Sequence, residues 1–259
     1  MAGNLKQKLR SHAPIVVYGL GQFISPKWVE LIALTGGYDA VWFDQEHAGV
    51  SQHQIESAAL AARGFGLDCF VRLAPVDYAS VMRPLETGAG GIMAAQVRTS
   101  AEVERIVRWT YFYPLGERGL NGLGADGRYG SMPVAEYIAQ ANSATMLAIQ
   151  IEHVQAVQEA DAIARQEGVD MLFIGPADLS QSLGIPGQWD HPHLWAAIER
   201  VAQAAERHRK AWGIVPASPA MARRCTALGC RCLSIGFDCW TLHAGLRVTK
   251  EEYADFFRR

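Results

Sequence analysis

Short apolar runs and longer amphipathic stretches alternate along this chain from end to end. The apolar runs cover residues 15–18, 40–43, 69–73, 91–95, 146–150, 169–174, 211–215 and 232–235. They are continuous rather than alternating, which is how a strand covered on both faces of a parallel sheet reads. Helical spacing fills residues 26–34, 52–63, 101–109, 154–167, 192–208 and 219–228. Gly66, Gly88, Gly168 and Gly229 stand just before strand-like runs, where a glycine ends a helix. Eight such units predict an α/β fold closed into a (β/α)8 barrel, as one domain over residues 1–259. An open dinucleotide-binding sheet fits less well, because Gly19-x-Gly21 lacks a third glycine at the right offset.

In a barrel of this kind the C-terminal strand ends share one mouth, so polar residues there become the candidate chemistry. The run 40–43 leads into Asp44, Glu46 and His47. Arg72 sits inside the apolar run Phe70-Val-Arg-Leu73 and must meet a carboxylate or reach the mouth. There its fork could hold a carboxylate or a developing enolate. Gln22, Gln96, Gln150 and Asp238 also follow strands. The strongest pair is Glu152 and Asp178, which project from the ends of neighbouring strands. Two carboxylates without cysteine suit a hard divalent cation, Mg²⁺ or Mn²⁺ with Co²⁺ as a third choice, and leave room for water and a bidentate substrate. The competing readings make Asp178 a helix cap and Glu152 one half of a salt bridge. His47, held by Asp44, could serve as a base near neutral pH. His153 should point away from Glu152 and be structural, and the other histidines, His12 among them, read as surface or capping residues.

No lysine falls near a strand end, which disfavours a Schiff base, and no Gly-x-Ser-x-Gly elbow occurs. The Gly-rich segment 114–133 carries Arg118 and Arg128 and is expected to be a mobile lid. Composition adds exclusions. A net charge of −2 offers no field for nucleic acid or an anionic membrane. No apolar stretch reaches membrane-spanning length, and no secretory signal is evident. The five cysteines contain no Cys-x-x-Cys pair, so reduced, buried thiols in a cytoplasmic protein are expected in place of zinc or disulfides.

Asp44-Gln-Glu-His47, Val71-Arg72, Gly116-Glu-Arg-Gly119, Gln150-Ile-Glu152 and Gly175-Pro-Ala-Asp-Leu-Ser180 stand in the order and at the spacing of one family. From about Ile15 to Phe237 the chain resembles the HpcH/HpaI aldolases, metal-dependent class II pyruvate aldolases on a phosphoenolpyruvate/pyruvate-type barrel. Members act on 4-hydroxy-2-oxoheptanedioate or 2-keto-3-deoxy sugar acids. The resemblance implies that Glu152 and Asp178 bind the metal, with Gln150 assisting through its water shell. It implies that Arg72 steadies the enolate oxygen, that Asp44 and His47 form the dyad handling the aldol hydroxyl proton, and that the backbone at Ala177 and Asp178 holds the pyruvate carboxylate. It further implies a homohexamer whose last helix packs on a neighbouring subunit, with Glu86 at the position that enters the adjacent site. The expected activity is reversible cleavage of a 4-hydroxy-2-oxo acid to pyruvate and an aldehyde, both small molecules. Two alternatives stand beside it: a condensing or decarboxylating enzyme acting on oxaloacetate or another polycarboxylate, which Arg118 and Arg128 would suit, and a non-catalytic oxo-acid binder. The segment after Gly119 departs from the family pattern and leaves the acceptor aldehyde open.

Overall fold

The computed structural model describes residues 5–11 and 13–257, so His12 and the first residues of the N-terminus lie outside them. Strands β1 (Ile15–Leu20), β2 (Ala40–Asp44), β3 (Asp68–Leu73), β4 (Gly91–Ala94), β5 (Met146–Ile151), β6 (Met171–Ile174), β7 (Ala211–Ile214) and β8 (Cys232–Phe237) pair in sequence order. All pairs are parallel, and β8 returns to β1 to close the barrel. The continuous apolar runs are explained by burial on both sides: nearly every residue of β2, β4, β5, β6 and β7 is enclosed. Val17, Ala40, Trp42, Phe70, Met93, Ala148, Phe173 and Cys232 fill the barrel interior, while their strand neighbours pack outward against the helices.

Several loop-to-helix transitions are fixed locally. Ser51 with Gln54 and Thr99 with Glu102 form reciprocal capping boxes that satisfy first-turn N–H groups. The N-terminal helix Leu5–Arg10, absent from the sequence expectation, plugs the lower end with Leu5 and Leu9. Its Lys6 and Lys8 reach Asp170 and Asp68, both at 3.2 Å. At the upper end of the β1–β8 seam, buried Asp238 accepts from the N–H groups of Gly21 (2.9 Å) and Phe23 (2.7 Å), so its part is structural. Four cysteines are buried, and burial pushes the Cys69 and Cys230 thiols up to about 12.

The last long helix, Asp238–Glu252, leaves the barrel with Asp238 as its single buried residue. Trp240, Leu246 and Val248 on it, and Tyr253, Phe256 and Phe257 beyond it, are exposed.

One expectation is corrected here. The segment 114–133 is not a lid over the mouth. It joins helix Ser100–Thr110 to helix Val134–Ala144, which in turn feeds β5, and helix-to-strand connections of that sense run across the N-terminal face, opposite the βα loops. It lines a separate cavity there with Leu5, Asp68, Gly90 and Thr145. The Arg118 guanidinium is buried, bonded to Asp126 (Nη2 to Oδ2, 2.6 Å) and stacked 4.8 Å over the Phe112 ring. Glu86 sits beside the same segment, its carbonyl accepting from Ala125 N–H at 3.0 Å. Within one chain neither Arg118 nor Glu86 serves the mouth that Arg72 and Asp178 line.

Candidate active site

Asp44 and Arg72 are opposite one another in the β2–β3 register, which answers the question raised by an arginine in an apolar run. The guanidinium grips Asp44 with two parallel bonds, Nε to Oδ1 at 3.0 Å and Nη2 to Oδ2 at 2.6 Å. It also lies 4.9 Å over the Trp42 ring. Asp44 Oδ1 further accepts from the N–H groups of Glu46 (3.0 Å) and His47 (3.3 Å), folding the chain after β2 into a tight turn. Asp44 therefore anchors the backbone of His47. The carboxylate facing its imidazole is Glu46, at 3.7 Å. The same Glu46 carboxylate, almost fully enclosed, approaches Arg72 Nε at 3.5 Å. The imidazole itself is open to solvent. Sequence reading placed Asp44 against the His47 ring; the geometry gives that position to Glu46 and gives the Asp44 carboxylate to Arg72.

Gln96 ties this group to the next strand ends. Its side-chain amide donates to Glu46 Oε1 at 3.0 Å, and its backbone N–H donates to Glu152 Oε1 at 2.7 Å. It does so at φ 59°, a left-handed conformation that costs a non-glycine residue about 1 kcal/mol. The site thus holds local strain where two carboxylates meet. Replacing Gln96 with glycine relaxes the backbone while removing the amide bridge. We expect Gln96→Gly to be no less stable in thermal melts, since relief of about 1 kcal/mol offsets one lost hydrogen bond. Its kcat should nevertheless fall about tenfold through misplacement of Glu46 and Glu152.

Glu152 is buried just past β5; its other oxygen accepts from the Gln150 side-chain amide. Burial pushes the Glu152 carboxyl up to about 7, the charges of Glu46 and Asp178 push the same way, and the Gln96 N–H pulls it back. Asp178 lies in the first turn of helix Pro176–Ser182, half-buried at the mouth; the cap position belongs to Gly175, so the capping role is not its own. A side chain at Gly175 would displace the ends of Gln150 and Glu152. A Cβ there would come within 2.8 Å of Gln150 Nε2 and 2.9 Å of Glu152 Oε2. Gln150 Oε1 is buried without a hydrogen-bond partner. Two carboxylates in each other's field beside an orphaned amide oxygen form a donor set that a hard cation fits. Among the described residues no group of three or more His, Cys, Asp or Glu residues is arranged to hold a metal, so amide oxygen, water and substrate would complete the shell.

The raised Glu152 carboxyl gives a pH signature in the cation-free protein. A folded value near 7 above the ordinary 4.5 means that the fold favours the protonated acid. The resulting advantage is full below the unfolded value and lost as pH rises from about 4.5 through 7, about 3 kcal/mol in all. Denaturation in chelator should therefore show Glu152→Gln gaining on the parent across that window. A pH-independent difference would contradict the assignment.

A cavity of about 1040 Å³ opens at this mouth, with Arg72, Gln150 and Asp178 on its polar side. Trp42, Phe173, Trp189, Val215, Pro216 and Phe237 supply most of its apolar wall, and Gln22, Ser218, Ser234 and Arg223 also border it. His153 caps the helix Val154–Gln158, its Nδ1 accepting from Gln155 N–H, in keeping with a structural role.

Comparison with known proteins supplies names for this arrangement. A family model described as HpcH/HpaI aldolase/citrate lyase matches residues 24–244. A hydroxypyruvate/pyruvate aldolase of Pseudomonas aeruginosa is 35% identical over 243 residues, 93% of this chain and 89% of that protein. A 2-keto-3-deoxy-L-rhamnonate aldolase of Salmonella gallinarum (strain 287/91 / NCTC 13346) is 33% identical over 221 residues, 85% of this chain and 82% of that one. The crystal structure of an HpcH/HpaI aldolase from Desulfitobacterium hafniense DCB-2 superposes with a TM-score of 0.89 at 32% identity, covering 95% of this chain and 96% of that one.

Proposed function

Because the chain belongs to the HpcH/HpaI aldolase/citrate lyase family, we propose that it is a class II aldolase, a lyase that reversibly cleaves a 4-hydroxy-2-oxo acid into pyruvate and an aldehyde. The observation that carries this reading is buried Glu152, in the field of Asp178 and beside the unpartnered Gln150 oxygen, with Arg72 and Asp178 lining one cavity. Glu152 and Asp178 would hold the divalent cation, Mg²⁺ or Mn²⁺. When bound, such a cation supplies Lewis acidity that favours negative charge on the 2-oxo group. Arg72, fixed by Asp44, presents its remaining guanidinium face to the cavity and steadies the enolate oxygen. First-turn N–H groups at Ala177 and Asp178 receive the substrate carboxylate. His47 accepts the 4-hydroxyl proton, held at its backbone by Asp44 and faced by Glu46. The C3–C4 bond then breaks, the aldehyde departs, and the electron pair stays on the pyruvate enolate until C3 is protonated.

The uncovered face of helix Asp238–Glu252 and the exposed aromatic residues after it support a homo-oligomer, a hexamer by resemblance. Glu86, turned away from its own mouth, would then meet a neighbouring copy's site. Free cysteines, and the lack of any described helix long and apolar enough to cross a membrane, support a cytoplasmic setting.

Pyruvate release from a series of 4-hydroxy-2-oxo acids tests the reaction, with oxaloacetate run in parallel. Activity should vanish after chelation, return with added Mg²⁺ or Mn²⁺, and favour the hydroxy-oxo acids. Faster turnover of oxaloacetate would make the enzyme a decarboxylase instead.

A further inference from the structure

We propose that the acceptor half of this site takes an uncharged, apolar aldehyde, aliphatic or aromatic, in place of a carboxylate-bearing one. The inference rests on the aldolase reading and extends it to the second substrate. Pyruvate occupies only the polar end of the cavity, where Arg72, Gln150 and Asp178 lie. What remains of about 1040 Å³ is walled mainly by aromatic and aliphatic side chains, with Gln22, Ser218 and Ser234 as its uncharged polar members.

This wall is built into the backbone. Gly19 is the penultimate residue of β1 and Gly21 lies just past its end, and the Phe237 ring from the end of β8 lies across both. A Cβ at Gly19 would come 2.3 Å from Phe237 Cδ2, and one at Gly21 would come 2.7 Å from its Cζ. No side chain can stand at either position while the ring stays there. Phe237 is then flanked by Trp42 and Trp240, with ring centres 5.5 and 5.7 Å away. The one polar atom of the Trp42 ring is turned to Ser234 Oγ at 2.8 Å. Trp189, Val215 and Pro216 contribute the apolar groups that line the cavity after β6 and β7.

The charges along the cavity are few and already committed. Arg72 holds Asp44, and Asp178 faces the cation position. Arg223 is exposed at the rim, where water and salt weaken its hold on a carboxylate. Arg118, which an acidic acceptor would need, is buried against Asp126 at the other end of the barrel. An apolar chain entering this space leaves water without exposing a charge, whereas a carboxylate would lose its hydration with no fixed cation to meet it.

The test runs the full-length, Mn²⁺-loaded enzyme in the synthetic direction with pyruvate as donor. Acceptors are propanal, butanal, pentanal, hexanal, benzaldehyde, glyceraldehyde and succinic semialdehyde. The kcat/KM for the acceptor should rise about threefold per added methylene. Hexanal and benzaldehyde should exceed succinic semialdehyde by at least about tenfold. Trp189→Ala should flatten the chain-length series. A preference for succinic semialdehyde, or a flat series in the parent enzyme, overturns the proposal. Exchange of pyruvate methyl protons with deuterated water, measured without any aldehyde, separates the two failures. Exchange with a flat series refutes the acceptor assignment alone, and absence of exchange removes the aldolase reading and this inference with it.

Discussion

Asp178→Asn and Glu152→Gln should each lower kcat for oxo-acid cleavage by about a thousandfold or more at saturating Mn²⁺. Both changes keep side-chain size and remove one of the two carboxylates from the proposed cation site. Glu152→Gln retains an acceptor for the Gln96 N–H, so the turn at that residue survives and the lost function reports on charge. Asp178 caps no helix, so its replacement leaves helix Pro176–Ser182 intact. Cation affinity, followed by calorimetric titration, should fall with the rate in both variants. If either variant keeps parental turnover with weakened affinity, the two carboxylates do not share one catalytic cation.

Arg72→Ala should damage fold and function together. Its guanidinium is 13% exposed, and the two carboxylates it faces, Asp44 and Glu46, are 4% and 6% exposed. Removing the cation strands their charge in a poorly solvated place, which costs about 3–5 kcal/mol for a buried pair broken from one side. The Trp42 ring also loses the cation stacked on it. Catalysis should drop about a hundredfold to a thousandfold in kcat, because the group beside the developing enolate is gone. Arg72→Lys separates the effects: a point charge restores much of the stability but cannot make both bonds to Asp44, so kcat should recover far less. Urea denaturation and steady-state kinetics on the three proteins decide this. Equal recovery of stability and kcat in Arg72→Lys would reduce Arg72 to a structural ion pair.

The barrel was legible because its strands are buried on both faces. Runs such as 146–150 and 211–215 therefore stay apolar without interruption and match β5 and β7 to within a residue. Glu152 and Asp178 stood out for the related reason that charge just past such a run has few places to go. The helix Tyr78–Glu86 was hidden by Pro84 inside it, and Leu5–Arg10 by its brevity and three basic residues. Arg118 was misplaced because glycine content says that a loop is unusual, whereas its face of the barrel is set by whether it follows a strand or a helix. Gln96 was visible as a polar residue after a strand, but not as a bridge: a left-handed glutamine looks like any other glutamine until Glu46 and Glu152 are seen on either side of it. The Phe237 wall was not visible: Gly19-x-Gly21 read only as an incomplete dinucleotide fingerprint, and the ring that needs those two glycines comes from over two hundred residues away.

The most direct measurement is the loss of the pyruvate methyl signal in deuterated water, followed by proton NMR, for the parent and for Glu152→Gln and Asp178→Asn. Enolate formation at the Glu152–Asp178 cation site predicts rapid exchange in the parent with Mg²⁺ or Mn²⁺, none after chelation, and none in either variant. Exchange that persists in chelator, or in a variant at the parental rate, would contradict it.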